Sequence, residues 1–214
     1  MSRRIIPGTR PTRIELLKIR KRIVVAGKGH ELLQEKLDAM VMEFFRLRGE
    51  RERLRQAMEE AFAAAYPPLL RAGMVMGERG LDIALGCAAP AREIGAGTRT
   101  VMGTAVPALR LPPPGTGEPG YPLAAHGADL DEGRRRCEEA VRAALRCAEA
   151  EGALVRLAEQ IATTRRRTNA LAYVLLPSLR DTAAYIEGYL EEMEREDLYR
   201  RKRTKAIRAE AEGA

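Results

Sequence analysis

The first part of the chain carries one long apolar stripe. Stepping from Leu16 in alternating threes and fours gives fifteen positions, of which only His30 and Arg51 are not apolar. A stripe that repeats every 3.5 residues over seven heptads is typical of a left-handed coiled coil. The positions are Leu16, Ile19, Ile23, Ala26, His30, Leu33, Leu37, Met40, Phe44, Leu47, Arg51, Leu54, Met58, Ala61 and Ala65.

Local signals bound this first helix to about 11–66. Pro11 and Thr12 can open it, with Thr12 as the N-cap and Glu15 completing a capping box. Pro67 and Pro68 should end it, because neither residue donates a hydrogen bond and both clash with a continuing helix.

A second, looser stripe begins near Asp131 and runs almost to the C-terminus. Nine of its twelve positions are apolar, and Pro177 inside it predicts a kink or a local change in packing. The positions are Leu154, Ala158, Ile161, Arg165, Thr168, Ala172, Leu175, Leu179, Thr182, Ile186, Tyr189 and Met193.

The intervening residues 67–130 differ in character, since Pro and Gly are frequent and charge is thin. The Pro- and Gly-rich run 111–122 cannot be helical. Two runs, 80–87 and 98–106, can be strands, and a hairpin joined across 89–97 is the simplest interpretation.

Two helices of roughly fifty residues, each about 75 Å long, most simply fold back on each other. The predicted fold is therefore mainly α: an antiparallel two-helix coiled coil (1–66 and 131–214) with a small middle region (67–130) that contains a β-hairpin. Both termini then lie at one end. The candidate seam residues are Leu33, Leu37, Met40, Phe44, Leu47, Leu54, Leu171, Leu175, Leu179 and Ile186.

The composition agrees with long helices that have large solvent-exposed faces, since 31 % of residues are charged, 4 % are aromatic and Trp is absent. The net charge is +7, and it is concentrated at the two ends of the chain. Residues 1–30 hold nine Lys and Arg against one acid, and residues 195–214 hold seven against four. Antiparallel helices would bring both segments to one basic tip, which favours an acidic partner. The candidate tip residues are Arg10, Arg13, Lys18, Arg20, Lys21, Arg22, Arg200, Arg201, Lys202 and Arg203.

The sequence offers no catalytic, metal or cofactor site. No phosphate-binding G-x-x-x-x-G-K-[ST] motif occurs, and the G-x-G-x-x-G match at 115–120 follows three prolines and contains Pro119, so it is interpreted as a loop. The three cysteines form no C-x-x-C pair, and the two histidines have no catalytic partners. No run approaches the roughly 20 apolar residues of a membrane span, so direct membrane insertion is not expected.

Arg51 and Arg165 fall on the two predicted stripes. A buried, unpaired Arg is costly, so each should meet an acid, or the helices should splay there. Alternatively, the long stem of each side chain reaches water.

Several segments resemble the D subunit of V-type and archaeal-type rotary ATPases. They are RPTRIELL at 10–17, AGKGHELLQEKLD at 26–38, TRRRTNALAYVLLP at 164–177 and REDLYRRK at 195–202, with a weaker match at 101–109. Thr168 stands where the family has Val, and Ala172 where it has Glu. The family-motif residues carried over are Arg166, Arg167, Asn169, Ala170, Leu171 and Pro177.

The resemblance implies a non-catalytic rotor axle, the central stalk of an ATPase or ATP synthase. Its implied partners are a hexameric ring of alternating catalytic and non-catalytic subunits, the small central-stalk F subunit, and a funnel-shaped protein that links to the membrane rotor. It implies torque transmission for ATP synthesis and ion transport, no bound cofactor, no nucleic acid, and a cytoplasmic place beside the membrane. The alternatives are a basic coiled-coil tether and a DNA-binding coiled coil, which the second helix and the Pro-rich insert fit poorly.

Overall fold

The computed structural model describes residues 6–87, 93–110 and 127–212, apart from the side chains of 209–212. Helix α1 spans Arg13–Gly86, strands β1 and β2 span Gly95–Val101 and Thr104–Arg110, and helix α2 spans Ala128–Ala170. A π-helical turn, Leu171–Leu175, follows α2 and leads into helix α3, Leu176–Glu212. The predicted fold class, two long helical segments with an antiparallel hairpin in the middle of the chain, is confirmed.

Contacts divide the chain into two units. Met1–Asp38 and Ala162–Ala214 form one, called the terminal unit below, and Ala39–Ile161 form the other, called the central unit.

In the terminal unit, α1 and α3 pair in antiparallel fashion. Arg13 contacts Glu194 at 2.5 Å, and Arg20 contacts Glu187 at 2.7 Å, so seven residues forward on α1 correspond to seven residues back on α3. That heptad register places apolar side chains from both helices in one core. The buried members are Ile19, Leu179, Ala183 and Ile186, and Ile6, Leu16, Ile23, Ala26 and Leu190 pack against them.

Thr12 caps α1 as predicted, since its hydroxyl accepts a hydrogen bond from the Glu15 backbone N–H at 3.3 Å. The reciprocal hydrogen bond of a capping box, from the Thr12 backbone N–H to the Glu15 side chain, is replaced by other contacts. The Thr12 N–H donates to the Arg10 carbonyl at 2.9 Å, and the Glu15 carboxylate pairs with Lys18 at 3.2 Å.

In the central unit, α1, α2 and the hairpin share one core. Its fully buried members are Met40, Leu47, Val106, Ala153 and Leu157. Val106 comes from β2, so the hairpin is anchored by a side chain that enters the helix pair. Pro107 beside it lies so close to Gly152 of α2 that a Cβ at Gly152 would stand 2.5 Å from the Pro107 ring.

The prediction that the first helix ends at Pro67 and Pro68 is wrong. The helix continues through both prolines and is interrupted only at Gly77, whose φ of 73° and ψ of 162° are open essentially to glycine alone. The continuation beyond Pro68 buries Ala72 and Ala84 against Leu130 of α2. This packing offsets the roughly 3 kcal/mol that an interior proline costs a helix. The same continuation corrects the strand predicted at 80–87, because residues 80–86 are helical.

The hairpin exists, but its turn is not the predicted one. The run predicted as one strand over 98–106 is folded in two at Met102 and Gly103, whose φ values of 49° and 75° give a two-residue turn. Part of the predicted 89–97 connection belongs to β1, and its residues 89–92 lie outside the described part of the chain. The Pro- and Gly-rich run 111–122, with its G-x-G-x-x-G match, lies outside it as well.

Both stripes can be compared with the buried positions. All fifteen positions of the first stripe are buried or half-buried. Seven of the twelve positions of the second stripe are buried or half-buried, whereas the stripe is out of phase at Ala158, Arg165, Leu175, Tyr189 and Met193, which are exposed. Other buried or half-buried positions on this side include Ala150, Ala153, Leu157, Thr164, Leu176, Ala183 and Leu190.

The π turn explains part of this phase error. Thr168 and Leu176 are eight residues apart, one more than the seven of a heptad, and the wide turn absorbs the extra residue through a hydrogen bond from the Leu176 N–H to the Leu171 carbonyl. Leu176 therefore takes the inward place that the regular repeat assigned to Leu175. Pro177 follows at once, which confirms the predicted local change at this proline.

Replacing Gly152 with Ala should destabilise the protein, because the new methyl group would overlap the rigid Pro107 ring and push the hairpin off α2. We expect a loss of about 1–3 kcal/mol in the free energy of unfolding, measured by urea denaturation. Gly49→Ala is the matched control, since nothing lies within 4 Å of that helical position. It should gain about 0.5–1 kcal/mol. Equal effects of the two substitutions would contradict the docking.

Pro177→Ala should stabilise the chain, because alanine restores an N–H donor within the helical segment and has a much higher helix propensity. A gain near 1 kcal/mol would raise the melting temperature by about 2–4 °C for a protein of this size. Gly188→Ala controls for helix propensity alone, since a Cβ there meets nothing within 4 Å. An unchanged or lower melting temperature for Pro177→Ala would contradict the expectation that this proline costs the helix stability.

Candidate functional site

The described residues contain no group of three or more His, Cys, Asp and Glu side chains placed to hold a metal ion. Cys87 is exposed, Cys137 half-buried and Cys147 buried, and none is in a disulfide. Burial raises the pKa of the Cys137 and Cys147 thiols, so both stay protonated near neutral pH and are poor nucleophiles. His30, on the α1 stripe, is half-buried.

An open cavity of about 760 Å³ lies between the hairpin and α2. Its charged lining residues, Arg156 and Glu159, pair with each other at 3.3 Å. Small side chains and backbone make up most of the remaining wall, including Gly97, Ala105 and Gly152. This lining positions no acid, base or nucleophile for chemistry.

The seam arginines have different surroundings. Arg51 reaches across to α2, where its Nη2 and Nε donate to the same Glu151 oxygen at 2.8 and 3.0 Å. This hydrogen bond raises the pKa of Arg51 and keeps its guanidinium charged. The prediction that a seam arginine meets an acid is therefore confirmed for Arg51. Arg165 is exposed, because the inward position in that turn belongs to Thr164.

The charge asymmetry follows the two units. The terminal unit holds 21 Lys and Arg against 13 Asp and Glu, a net charge of +8, and the central unit holds 16 against 17, a net charge of −1. All ten candidate tip residues lie in the terminal unit and are exposed. A positive potential therefore surrounds the terminal unit.

Within the candidate tip, cations and acids are partly matched. Arg13, Lys18 and Arg20 pair with Glu194, Glu15 and Glu187, and Arg200 pairs with Glu196 at 3.3 Å. In the part of the chain that the structure describes, no ion pair involves Arg10, Lys21, Arg22, Arg201, Lys202 or Arg203. Every described side chain from Glu191 to Arg208 is exposed, so the end of α3 presents its whole circumference to solvent.

The family-motif residues lie around the π turn. Arg166, Arg167, Asn169 and Ala170 are exposed, whereas Leu171 and Pro177 are half-buried. Arg166 contacts the Thr163 hydroxyl at 3.4 Å. The buried Thr168 donates its hydroxyl hydrogen to the Thr164 carbonyl at 3.0 Å, which lets a polar side chain occupy the seam without an unmet donor.

Sequence reasoning missed two exposed apolar surfaces. The first, called the foot patch below, is a set of six large apolar side chains of α1 in the central unit, each more than half exposed: Tyr66, Leu70, Met74, Val75, Ile83 and Leu85. The second lies in the terminal unit at the π turn, where Tyr173, Val174 and Leu175 are exposed. Large apolar side chains grouped on a surface mark interaction sites. The spacing of Tyr66, Leu70 and Met74 at i, i+4 and i+8 was a readable sign of the foot patch.

Among the described residues, no helix combines the length and apolar character that crossing a bilayer requires.

Comparison with known proteins gives one consistent result. The family model for the ATP synthase D subunit matches residues 15–206. The D subunit of the A-type ATP synthase of Thermococcus kodakarensis is 41 % identical over 203 residues, which cover 94 % of each chain. Its counterpart in Pyrococcus horikoshii is 40 % identical over 201 residues, covering 92 % of this chain and 94 % of the relative. That of Methanopyrus kandleri is 39 % identical over 208 residues, covering 97 % and 90 %.

These matches extend over nearly the whole chain, and they include the two long helical segments and the hairpin described above. The chain therefore belongs to the ATP synthase D-subunit family.

Proposed function

We propose that this chain is the axle of a V-type or A-type ATPase or ATP synthase and transmits torque between an ATP-hydrolysing ring and an ion-translocating membrane rotor. As a member of its family it belongs to the central stalk and is not catalytic. The observation that carries the proposal is the match of about 40 % identity to the D subunit of A-type ATP synthases over more than 90 % of both chains. The exposed basic and apolar side chains support it, since they offer surfaces for contact with other subunits.

The terminal unit is proposed to contact the ring of alternating catalytic and non-catalytic subunits. Its net charge of +8 and its exposed basic residues would track acidic surfaces in the bore of the ring. Broad electrostatic attraction has little geometric specificity, so it can persist while the contact surface turns.

The central unit is proposed to contact the other two partners. The foot patch suits an apolar surface on the funnel-shaped protein, because its six large side chains are otherwise exposed to water. The small F subunit would bind alongside the helix pair. These contacts would keep the chain at the cytoplasmic side of the membrane through the complex.

The proposal is tested by co-expressing the chain with the catalytic and non-catalytic ring proteins and the small F subunit of the same organism. We expect one copy of the chain per hexamer and ATP hydrolysis that drives its rotation. Removal of residues 195–214 should abolish that rotation. A chain that ignores the ring but self-associates would favour the tether, and one that binds DNA with a steep salt dependence would favour the DNA-binding alternative.

Neutralising unpaired cations of the terminal unit should weaken ring binding. Lys21→Gln with Arg22→Gln removes two exposed charges that have no ion pair among the described residues. We expect about threefold to tenfold weaker binding at low salt, and a difference from the wild type that shrinks as added salt screens the attraction. The dissociation constant for the isolated ring, measured at several salt concentrations, checks this.

Arg48→Gln with Arg53→Gln is the matched control, because it removes the same charge from exposed positions of the central unit. It should leave ring binding within twofold of the wild type. Equal weakening by both pairs would show that net charge matters and the location of the charge does not.

A further inference from the structure

The segment that precedes α1, residues 6–12, folds back onto α3. The Ile6 N–H donates a hydrogen bond to the Thr182 hydroxyl at 3.1 Å, and that hydroxyl donates to the Ser178 carbonyl at 2.6 Å. The Ile6 side chain is half-buried and packs against the core that α1 and α3 share. Thr182 is completely buried, so this hydrogen bond is shielded from water. We call residues 6–12 the N-terminal clasp.

A tight turn holds the first residue of the clasp against the core. Pro7 and Gly8 are the central residues of this turn, and Gly8 has a φ of 80°, which glycine adopts without steric cost. The Thr9 hydroxyl donates to the Ile6 carbonyl across the turn at 2.9 Å. Ile6 therefore has a partner for its N–H, its carbonyl and its side chain, and the clasp is anchored at this end.

The two ends of the clasp lie at different levels of the helix pair. Arg13, where α1 begins, pairs with Glu194, whereas Ile6 binds Thr182, twelve residues earlier on α3. Twelve helical residues span about 18 Å. The chain from Ile6 to Arg13 is seven residues long and reaches at most about 23–25 Å when fully extended, and the turn within the clasp reduces this reach. The clasp therefore has little slack.

The apolar packing of α3 on α1 repeats after one heptad. Consider a shift of α3 by seven residues along α1, away from the residue at which α1 begins. The shift would replace Leu179, Ala183 and Ile186 at the seam, in that order, by the residues seven positions later. Those residues are Ile186, Leu190 and Met193, all of them apolar. Apolar contacts in this part of the seam therefore do not exclude the shifted register.

The interhelical ion pairs fix the register only within a heptad. Arg20 contacts Glu187 at 2.7 Å, and after the shift it would face Glu194, which now pairs with Arg13. Exposed ion pairs of this kind are weak, and one of them would form again in the shifted register. A further constraint is needed to exclude that register.

The clasp is too short for the shifted register. The shift would increase the distance along the pair between Thr182 and the level of Arg13 from about 18 Å to about 28 Å, which exceeds the reach of the chain from Ile6 to Arg13. We propose that the N-terminal clasp is a register lock, which prevents α3 from sliding by one heptad along α1 in this direction. In an axle, the lock would resist sliding of one helix along the other under torque.

Zero-length carbodiimide cross-linking of the full chain reports the register directly. In Arg20→Lys, the new amine forms an amide with Glu187 in the observed register and with Glu194 after the shift. Mass spectrometry of the monomer measures the ratio of the two cross-links. In this parent chain we expect the Glu194 cross-link to be less than about one-tenth of the Glu187 cross-link, because Glu194 lies about 10 Å further along the pair.

The decisive variant changes only the length of the clasp. Six Gly and Ser residues inserted between Thr9 and Arg10 of the parent chain keep both of its ends and extend its reach to about 43–47 Å. The same six residues inserted directly after Met1, outside the clasp, are the matched control. We expect the Glu194 cross-link to rise at least about tenfold in the lengthened variant and to stay within about twofold of the parent in the control.

A second variant releases the anchored end of the clasp. Ile6→Ala with Thr182→Val in the parent chain removes the packed side chain and the hydroxyl acceptor. Ile14→Ala with Thr168→Val is the matched control, since Ile14 is 69 % exposed and the buried Thr168 donates within its own helix. The Glu194 cross-link should rise in the release variant and not in its control.

Exchange of the Ile6 amide hydrogen, measured by NMR, shows whether the anchor is formed. In the parent chain and the lengthened variant it should be at least about tenfold slower than in an unstructured peptide. An Ile6 amide that exchanges freely in the parent chain would overturn the lock, and so would unchanged cross-link ratios in both variants. A rise in the release variant alone would overturn it as well, since Ile6 and Thr182 would then act through local packing and not through the length of the clasp.

Discussion

Burial of the α1 stripe is the interaction on which the rest of the structure depends. A helix of 74 residues has no interior of its own, so α1 can hide its apolar side chains only against another element. In the terminal unit it does so against α3, through Ile19 and Ile186, and in the central unit against α2, through Met40 and Leu157. Each such side chain contributes about 1.5–3 kcal/mol when buried, whereas an exposed ion pair contributes about 0–1 kcal/mol. The seam therefore sets stability, and pairs such as Arg20–Glu187 chiefly fix the register.

Small residues on α2 extend the same constraint to the hairpin. The buried face of α2 carries only small side chains at Ala150 and Ala153. Gly152, between them, has no side chain that would collide with Pro107. The two-stranded hairpin would be marginal alone, because isolated hairpins are barely stable in water. Its position depends on Val106 in the core, on the close approach at Gly152, and on a hydrogen bond from the Leu109 N–H to the Glu149 carboxylate.

Sequence patterns predicted the parts of this fold that follow from local rules. The heptad repeat identified α1, the cap at Thr12 followed from residue chemistry, and an acid partner for Arg51 was one of the alternatives that this chemistry left open. Patterns failed where a distant contact decided the outcome. Pro67 and Pro68 look like a helix end unless one knows that Ala72 and Ala84 will pack on Leu130. The turn at Met102 was hidden because a non-glycine residue adopts a positive φ there, and the strand signal runs on through it.

The candidate surfaces were predictable to different degrees for a related reason. Charge can be counted, so the basic character of the terminal unit was evident, but the carboxylates that face Arg13 and Arg20 come from residues more than 160 positions away. The exposed apolar residues could not be identified in the same way, because exposure depends on the phase of the helix.

The π turn shows how a single residue changes that phase. In a regular repeat Leu175 would face the seam and Leu176 would lie at its edge, about 100° away. The extra residue in the turn reverses the two, so that Leu176 is buried and Leu175 joins Tyr173 and Val174 on the surface. Pro177 favours such a turn, because a proline in a regular helix would clash with the carbonyl four residues earlier. The proline that appears to be a defect in the second stripe thus lies beside the turn that brings this apolar surface to solvent.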